Sequence, residues 1–283
     1  MDLCNPAVIK EVMNDAGVTF QKKFGQNFLI NKSVPERIAE MCADDPDSLI
    51  LEIGPGIGCL TRELALRYGE VAAVEIDMGL LPILERTLAD LPNVSVTNAD
   101  VMELDLPRFL SERAGERSVS VAANLPYYIT TPILMKLLES GIRFKSITVM
   151  VQAEVAARLC AKAGSADYGA ITAVLGYYGS VRRLFTVPAG CFLPAPKVDS
   201  AVVRIDLYES VPFTLKDTAL YFGLIRAAFG QRRKTLQNAV NAAYPHLSKQ
   251  RIADALVAIG QPATVRGERL SSADFASLAN QLV

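Results

Sequence analysis

The chain has 283 residues, 51% of them hydrophobic, with one histidine, five cysteines and a net charge of −1; this is enough for a large domain, a small one and a sizeable core. A single histidine, His246, in the loop-like Ala243-Tyr-Pro-His-Leu-Ser, rules out a Ser-His-Asp triad and a multi-histidine metal centre. Five scattered cysteines (Cys4, Cys42, Cys59, Cys160, Cys191) without a Cys-x-x-Cys pair argue against a disulfide framework and a zinc site, so no metal is expected. No run approaches the ~20 apolar residues of a membrane span, and the N-terminus lacks a basic segment followed by an apolar one, which makes the cytoplasm the expected location.

In chain order, helix-like amphipathic segments from Ser33 to about Gln152 alternate with short β-branched runs at Leu49–Ile53, Val71–Ile76, Val94–Thr97, Val119–Ala123 and Ile147–Val151. Apolar runs without polar alternation read as strands covered on both faces, and helix-length spacers between them imply parallel βαβ units. A doubly wound α/β domain follows. Helices at Ala153–Ala163 and Ala170–Gly179 and strands at Leu184–Val187 and Ala201–Leu207 complete the sheet, with an antiparallel pair at one edge. The prolines of Phe192-Leu-Pro-Ala-Pro-Lys-Val-Asp-Ser200 impose an extended loop between those strands.

After Tyr208 the β-branched runs stop and helical segments follow, roughly 217–229, 233–243, 248–259 and 272–282. The division expected is a domain of residues 1–207, with an N-terminal extension 1–32, and a helical domain of residues 208–283. From Tyr208 to Val283 there are nine Lys/Arg against five Asp/Glu, so the tail is basic and the body mildly acidic. That is compatible with a polyanionic partner and equally with an ordinary solvated surface.

The strand Leu49–Ile53 runs straight into Gly54-Pro-Gly56-Ile-Gly58 and then into a helix. Glycines at such a turn let the backbone approach a ligand closely. Glu75 ends the next strand, 21 residues after Gly54, where a carboxylate reaches ribose hydroxyls, and Asp100 follows the third strand, placed to accept from an adenine amino group. A dinucleotide site must be weighed. The Gly-x-Gly-x-Gly spacing and Glu52 beside the loop favour S-adenosylmethionine, a cationic donor without phosphate, over a pyrophosphate that an acid would repel.

Asn124-Leu125-Pro126-Tyr127 follows the fourth run. An exocyclic adenine amine is a poor nucleophile because its lone pair is delocalised into the ring. If the Asn124 side-chain oxygen and a backbone carbonyl of Leu125-Pro126 accept its two N–H groups, that lone pair is aimed at the methyl group without any histidine base. Tyr127 offers a stacking face and Phe192 is the candidate for the opposite one, whereas Tyr128 reads as packing. The target base must be flipped or single-stranded.

These residues, with Lys23-Phe-Gly-Gln-Asn-Phe-Leu29, Val74-Glu-Ile-Asp77, Phe192-x-Pro-x-Pro-x-Val-x-Ser200 and Phe229-Gly-Gln-Arg-Arg-Lys-Thr-Leu-Gln-Asn238, resemble the bacterial small-subunit ribosomal RNA adenine N6,N6-dimethyltransferases over nearly the whole chain. The resemblance implies a doubly wound, seven-stranded class I methyltransferase core with a small all-helical C-terminal domain. It also implies a monomer that dimethylates two adjacent adenosines in the 3′-terminal hairpin of 16S rRNA during assembly. It implies donor contacts at Asn27, Leu29, Gly54, Gly56, Glu75, Asp100 and Asn124. RNA contacts are expected at Lys22 and Lys23 and, on a helix start, at Arg232, Arg233 and Lys234. Ile57 and Cys59 depart from the family's usual Leu and Ala or Ser. The enzymes that dimethylate a large-subunit adenine share the catalytic motifs, and a role as an assembly checkpoint can coexist with catalysis.

Overall fold

A computed structural model describes residues 1–18 and 26–283. Contacts divide the chain into two compact units, residues 1–156 with 182–207, and residues 157–181 with 208–283.

The first unit begins with α1 (Pro6–Asp15), which the strand and helix pattern of the sequence did not anticipate. Asn5 caps it by accepting from the Ala7 N–H, and Pro6 occupies its first turn, where a missing N–H costs nothing. Ile9, Val12 and Met13 bury its inner face against Phe28, Ile57, Leu80, Ile83 and Leu84. A two-residue strand β1 (Phe28–Leu29) leads to α2 (Ser33–Glu40). The parallel framework follows: β2 (Leu49–Ile53), α3 (Cys59–Ala65), β3 (Glu70–Glu75), α4 (Leu81–Thr87), β4 (Val94–Asn98), α5 (Leu106–Ala114), β5 (Val119–Asn124), α6 (Thr130–Glu139) and β6 (Phe144–Gln152). After α7 (Ala153–Leu159) and α8 (Ala170–Tyr178) come β7 (Gly179–Val187), the short β8 (Phe192–Leu193) and β9 (Ser200–Leu207).

Seven strands form one sheet in the order β4-β3-β2-β5-β6-β9-β7, and β1 pairs with β8 in a separate ladder. β2, β3, β4, β5 and β6 run parallel, while β9 pairs antiparallel with β6. All five residues of β2 are buried, as expected for a strand covered on both faces. The chain winds outward from β2 through β3 and β4, then returns to β5 on the other side, and such a reversal opens a crevice at the carboxyl ends of the strands. This is the class I methyltransferase arrangement. Among the described residues no helix is long and apolar enough to cross a membrane.

The second unit holds α8 and the helices α9 (Thr218–Gly230), α10 (Leu236–Ala243), α11 (Lys249–Ala258) and α12 (Ser272–Leu282), packed around Tyr221, Leu224, Ile225, Leu236 and Phe275. Asp217, Ser248 and Ser271 cap α9, α11 and α12 by accepting backbone N–H groups at 2.9, 3.2 and 3.1 Å. Residues 157–181 fall in this unit although sequence order placed them with the catalytic core. The cause is local: Tyr168 Oη donates to the Leu270 carbonyl at 2.9 Å, Ser272 Oγ donates to the Ala173 carbonyl at 2.8 Å, and Tyr168 meets the Phe229 ring edge-on. The segment that carries α8 therefore shares a core with residues of α9 to α12 far along the chain.

Ile50, fully buried in the central strand, reports on the sheet's packing. Ile50→Ala should lower the stability of the first unit by about 2–5 kcal/mol and Ile50→Val by about 1 kcal/mol. Denaturant midpoints with unchanged slopes would register both losses.

Candidate active site

Strand pairing decides which side chains meet. Ile53 of β2 is level with Val74 of β3 and with Ala123 of β5. One residue further, Gly54, Glu75 and Asn124 therefore leave the sheet side by side. Gly54 and Gly58 both have positive φ, +71° and +93°. A Cβ on Gly58 would stand 3.0 Å from Leu88 Cδ2, so close packing and backbone conformation both demand glycine there. A Cβ on Gly54 would meet nothing within 4 Å, which leaves open space above the loop.

That space is a cavity of about 110 Å³, walled by Asn27, Leu29, Glu52, Gly54, Gly56, Glu75 and Asn124 through Tyr128, among others.

Two carboxylates face it. Glu75 Oε2 accepts from the Gly56 N–H at 3.2 Å and Oε1 from the Asp77 N–H at 2.8 Å. Burial nonetheless raises its proton affinity, with those two hydrogen bonds working the other way. Glu52 is 1% exposed, and burial pushes its carboxyl up to about 8. The Thr61 hydroxyl stands near enough to lower it in part and the neighbouring Glu75 raises it further. Even so, neither Glu52 Oε2 nor Thr61 Oγ1 completes a hydrogen bond. A buried, orphaned carboxylate oxygen beside open space is costly unless a cation or a donor group meets it.

Asn124 lines the cavity, and its Nδ2 donates to the Asn27 carbonyl at 3.3 Å, which orients the amide. The Pro126 carbonyl already accepts from Ile129 N and Thr130 Oγ1, both at 3.2 Å, so the Leu125 carbonyl is the backbone acceptor the motif offers. Tyr127 is half-buried, and its hydroxyl shares a 2.8 Å hydrogen bond with Ser200, which steadies the ring; burial raises the phenol's proton affinity while the Ser200 contact lowers it.

Some sequence-based expectations need revision. Phe192 is 2% exposed and absent from the cavity wall; its pairing with Leu29 in the β1–β8 ladder turns the ring into the core beside Val187 and Val202. Tyr128, read as packing, is 65% exposed at the cavity. Asp100 lies outside the wall, and its Oδ1 accepts from the Met102 N–H at 2.8 Å. Gln26 and Asp77 were missed: Gln26 lines the cavity and donates to Asp77 Oδ2 at 2.8 Å, a contact 51 residues apart that no local pattern announces. Lys22 and Lys23 lie outside the described residues. Arg232, Arg233 and Lys234 are exposed in the turn before α10 rather than on its first turn, and Arg232 already reaches the Tyr168 carbonyl at 3.3 Å and Glu268 at 3.5 Å.

The model of the ribosomal RNA adenine dimethylase family matches residues 17–282. The chain belongs to that family. Ribosomal RNA small subunit methyltransferase A of Lachnoclostridium phytofermentans is 46% identical across 98% of this chain and 97% of its own length. The protein of the same name from Alkaliphilus oremlandii is 42% identical over 99% and 98%. Among solved structures, a dimethyladenosine transferase from Plasmodium falciparum superposes with a TM-score of 0.76 at 26% identity, covering 88% of this chain and 95% of the other. The 23S rRNA methyltransferase ErmE gives 0.71 at 28% identity, covering 90% and 99%. This dimethylase thus shares its fold with a dimethyladenosine transferase and with a 23S rRNA methyltransferase, and the two relatives matched over nearly their full length carry the small-subunit name.

The raised proton affinities of Glu52 and Glu75 make the ligand-free dimethylase sensitive to pH. Both acids keep their protons in the fold to higher pH than in the unfolded chain, so their contribution is fully present below about 4.5, the ordinary glutamate value. It is lost as pH rises toward 8, because the unfolded chain then gains charge that the fold resists. The thermal midpoint should fall between pH 5 and 8 in the wild type and fall less in Glu52→Gln; equal slopes in the two proteins would remove the buried neutral carboxyl from the account.

Proposed function

We infer that this dimethylase transfers methyl groups from S-adenosylmethionine to N6 of two adjacent adenosines in the 3′-terminal hairpin of 16S rRNA. In this reading it acts as a cytoplasmic monomer on the assembling small subunit. The observation that carries the reading is Asn124, levelled with Gly54 and Glu75 by strand register, its amide N–H tied to Asn27 and the residue set in the cavity wall. The name borne by the relatives from Lachnoclostridium phytofermentans and Alkaliphilus oremlandii supports the small-subunit target.

The residues present fit the donor. Two buried acids, one with an orphaned oxygen, suit a cation and oppose a pyrophosphate, and the space over Gly54 admits a ligand close to the backbone. Asn27, Leu29, Gly54, Gly56, Glu75 and Asn124 would hold it. Asp100 would complete the site beyond the present wall: its neighbour Ala99 donates to the Glu75 carbonyl at 3.0 Å, which keeps the two carboxylates near one another. When bound, the donor supplies an electrophilic methyl group on a cationic sulfonium.

Everything else is positioning by the chain. Asn124 Oδ1 and the Leu125 carbonyl accept the two amino N–H groups of the flipped adenine. This draws the nitrogen toward tetrahedral geometry and fixes the direction of its lone pair. Pro126 locks the backbone between those acceptors, and the Tyr127 ring, steadied by Ser200, gives the base a stacking face worth about 1–3 kcal/mol. The alkylated nitrogen is acidic enough to lose its proton without a dedicated base. Arg233 and Lys234 in the turn before α10, with Lys22 and Lys23, would neutralise RNA phosphates. Arg232 divides its guanidinium between such a role and holding Tyr168 and Glu268.

A second reading, dimethylation of a large-subunit adenine, uses the same catalytic residues, and the likeness to ErmE is what favours it. Nucleoside mass spectrometry after incubation with S-adenosylmethionine and either undermethylated small subunits or naked large-subunit RNA separates the two. Dimethyladenosine only in the small subunits is expected; its appearance only in large-subunit RNA would shift the target.

Asn124→Ala should lower transfer by about 10²–10³-fold or more while RNA affinity stays unchanged. Near-normal turnover in that variant would overturn the mechanism. Arg233→Ala and Lys234→Ala should each flatten the dependence of log affinity on log salt by about one unit, without altering turnover at saturating RNA.

A further inference from the structure

Outside the mechanism, two thiols meet. Cys59, the first residue of α3 directly after Gly58, donates its Sγ–H to the Leu3 carbonyl at 3.0 Å. Cys4, the residue after Leu3, lies beside Cys59 although 55 positions separate them, close enough for each thiol to shift the other's proton affinity. Both thiols line a second cavity of about 350 Å³, with Lys32, Pro35 and Arg62, which gives a small molecule a way in. Cys59 also lines the cavity over the glycine loop.

The two sulfurs are not equivalent. Cys4 stands just ahead of the Asn5 cap of α1, where a helix N-terminus favours an anion, and the Cys59 thiol holds its proton affinity below the ordinary thiol value. Burial and the Cys4 contact drive Cys59 the opposite way. One thiol is thus suited to attack and its neighbour to resolve.

We propose that Cys4 and Cys59 form a peroxide-oxidised dithiol whose disulfide closes down the cavity over the glycine loop. The Cys4 thiolate attacks a peroxide oxygen, the O–O bond breaks, and the leaving oxygen departs as water after taking a proton. Cys59 then attacks the resulting sulfenic sulfur, the S–O bond breaks, and a second water leaves as the disulfide forms. Two thiols lose two hydrogens and two electrons, and the peroxide is reduced to two waters. The bond takes Cys59 Sγ off the Leu3 carbonyl and ties the segment before α1 to the residue after Gly58. Cys59 also belongs to the wall of the cavity over the loop, so the tether acts on that wall directly. Inside cells disulfides of this type are reversible sensors rather than structural staples.

The effect on donor binding rests on the function proposed above; the cross-link does not. The whole protein is treated with hydrogen peroxide, digested without reduction and mapped by mass, and S-adenosylmethionine affinity is titrated before and after. Linked Cys4 and Cys59 peptides lighter by two hydrogens are expected, with affinity reduced by about fivefold or more and restored by dithiothreitol. Cys4→Ser should bind donor normally, form no link and keep its affinity after peroxide. Sulfinic or sulfonic products without the link, or a link between other cysteines, would refute the dithiol, and a clean link with unchanged affinity would refute its control of the cavity. Failure of the reduced protein to bind donor at all would strike the functional reading, while the peptide map still decides the dithiol.

Discussion

The site rests on the register of three parallel strands. Ile53 is opposite Val74 on one side and Ala123 on the other, so the next residues, Gly54, Glu75 and Asn124, reach the carboxyl edge of the sheet together. A slip of one residue in either pairing would send Glu75 or Asn124 to the opposite face, because side chains alternate along a strand. The apolar residues of β2, β3 and β5, nearly all fully buried, hold that register, since any slip would drive them out of the core. Packing energy in the sheet therefore sets the position of the polar residues that meet at the cavity.

Those polar atoms sit in an environment that penalises charge. Glu52 and Glu75 are both buried, the charge of Glu75 raises the proton affinity of Glu52 while that of Asp77 raises the proton affinity of Glu75, and only Glu75 is well supplied with backbone N–H groups. Without a ligand the fold keeps acids it would be more stable without, which is the usual mark of a binding site. A cation between them would relieve the burial cost and the repulsion that Glu75 exerts on Glu52 at once. The same low-polarity surroundings sharpen the hydrogen bonds that Asn124 Oδ1 and the Leu125 carbonyl can offer, because there is little water to compete for them.

Much of this was legible in the sequence. The run Leu49–Ile53 became β2 with the same ends, and the helix expected over 272–282 is α12. Gly54, Gly56, Glu75 and Asn124 announced themselves because glycines, strand ends and a proline-fixed Asn leave strong local signals. What stayed hidden depends on contacts distant in sequence. The capture of residues 157–181 by the helical unit rests on Tyr168 meeting Leu270 and Ser272 meeting Ala173, pairs about a hundred positions apart. The β1–β8 ladder is two residues long on each side, too short to give a period of its own. Glu52 looked like an electrostatic hint, and only its complete burial shows it to be a stored cost.

Phe192 shows where a motif and a fold part company. The motif reads its ring as a stacking face for the target base, yet the ladder with Leu29 keeps it in the core. Burying a phenylalanine side chain contributes about 1.5–3 kcal/mol, and stacking one base on an aromatic ring about 1–3 kcal/mol. The two uses of the ring are therefore close in energy and mutually exclusive. Withdrawing Phe192 from the core would also loosen Leu29, and with it the segment whose Asn27 carbonyl holds the Asn124 amide. Drawing the ring outward would therefore pull, through one two-residue ladder, on the segment that anchors the Asn124 amide.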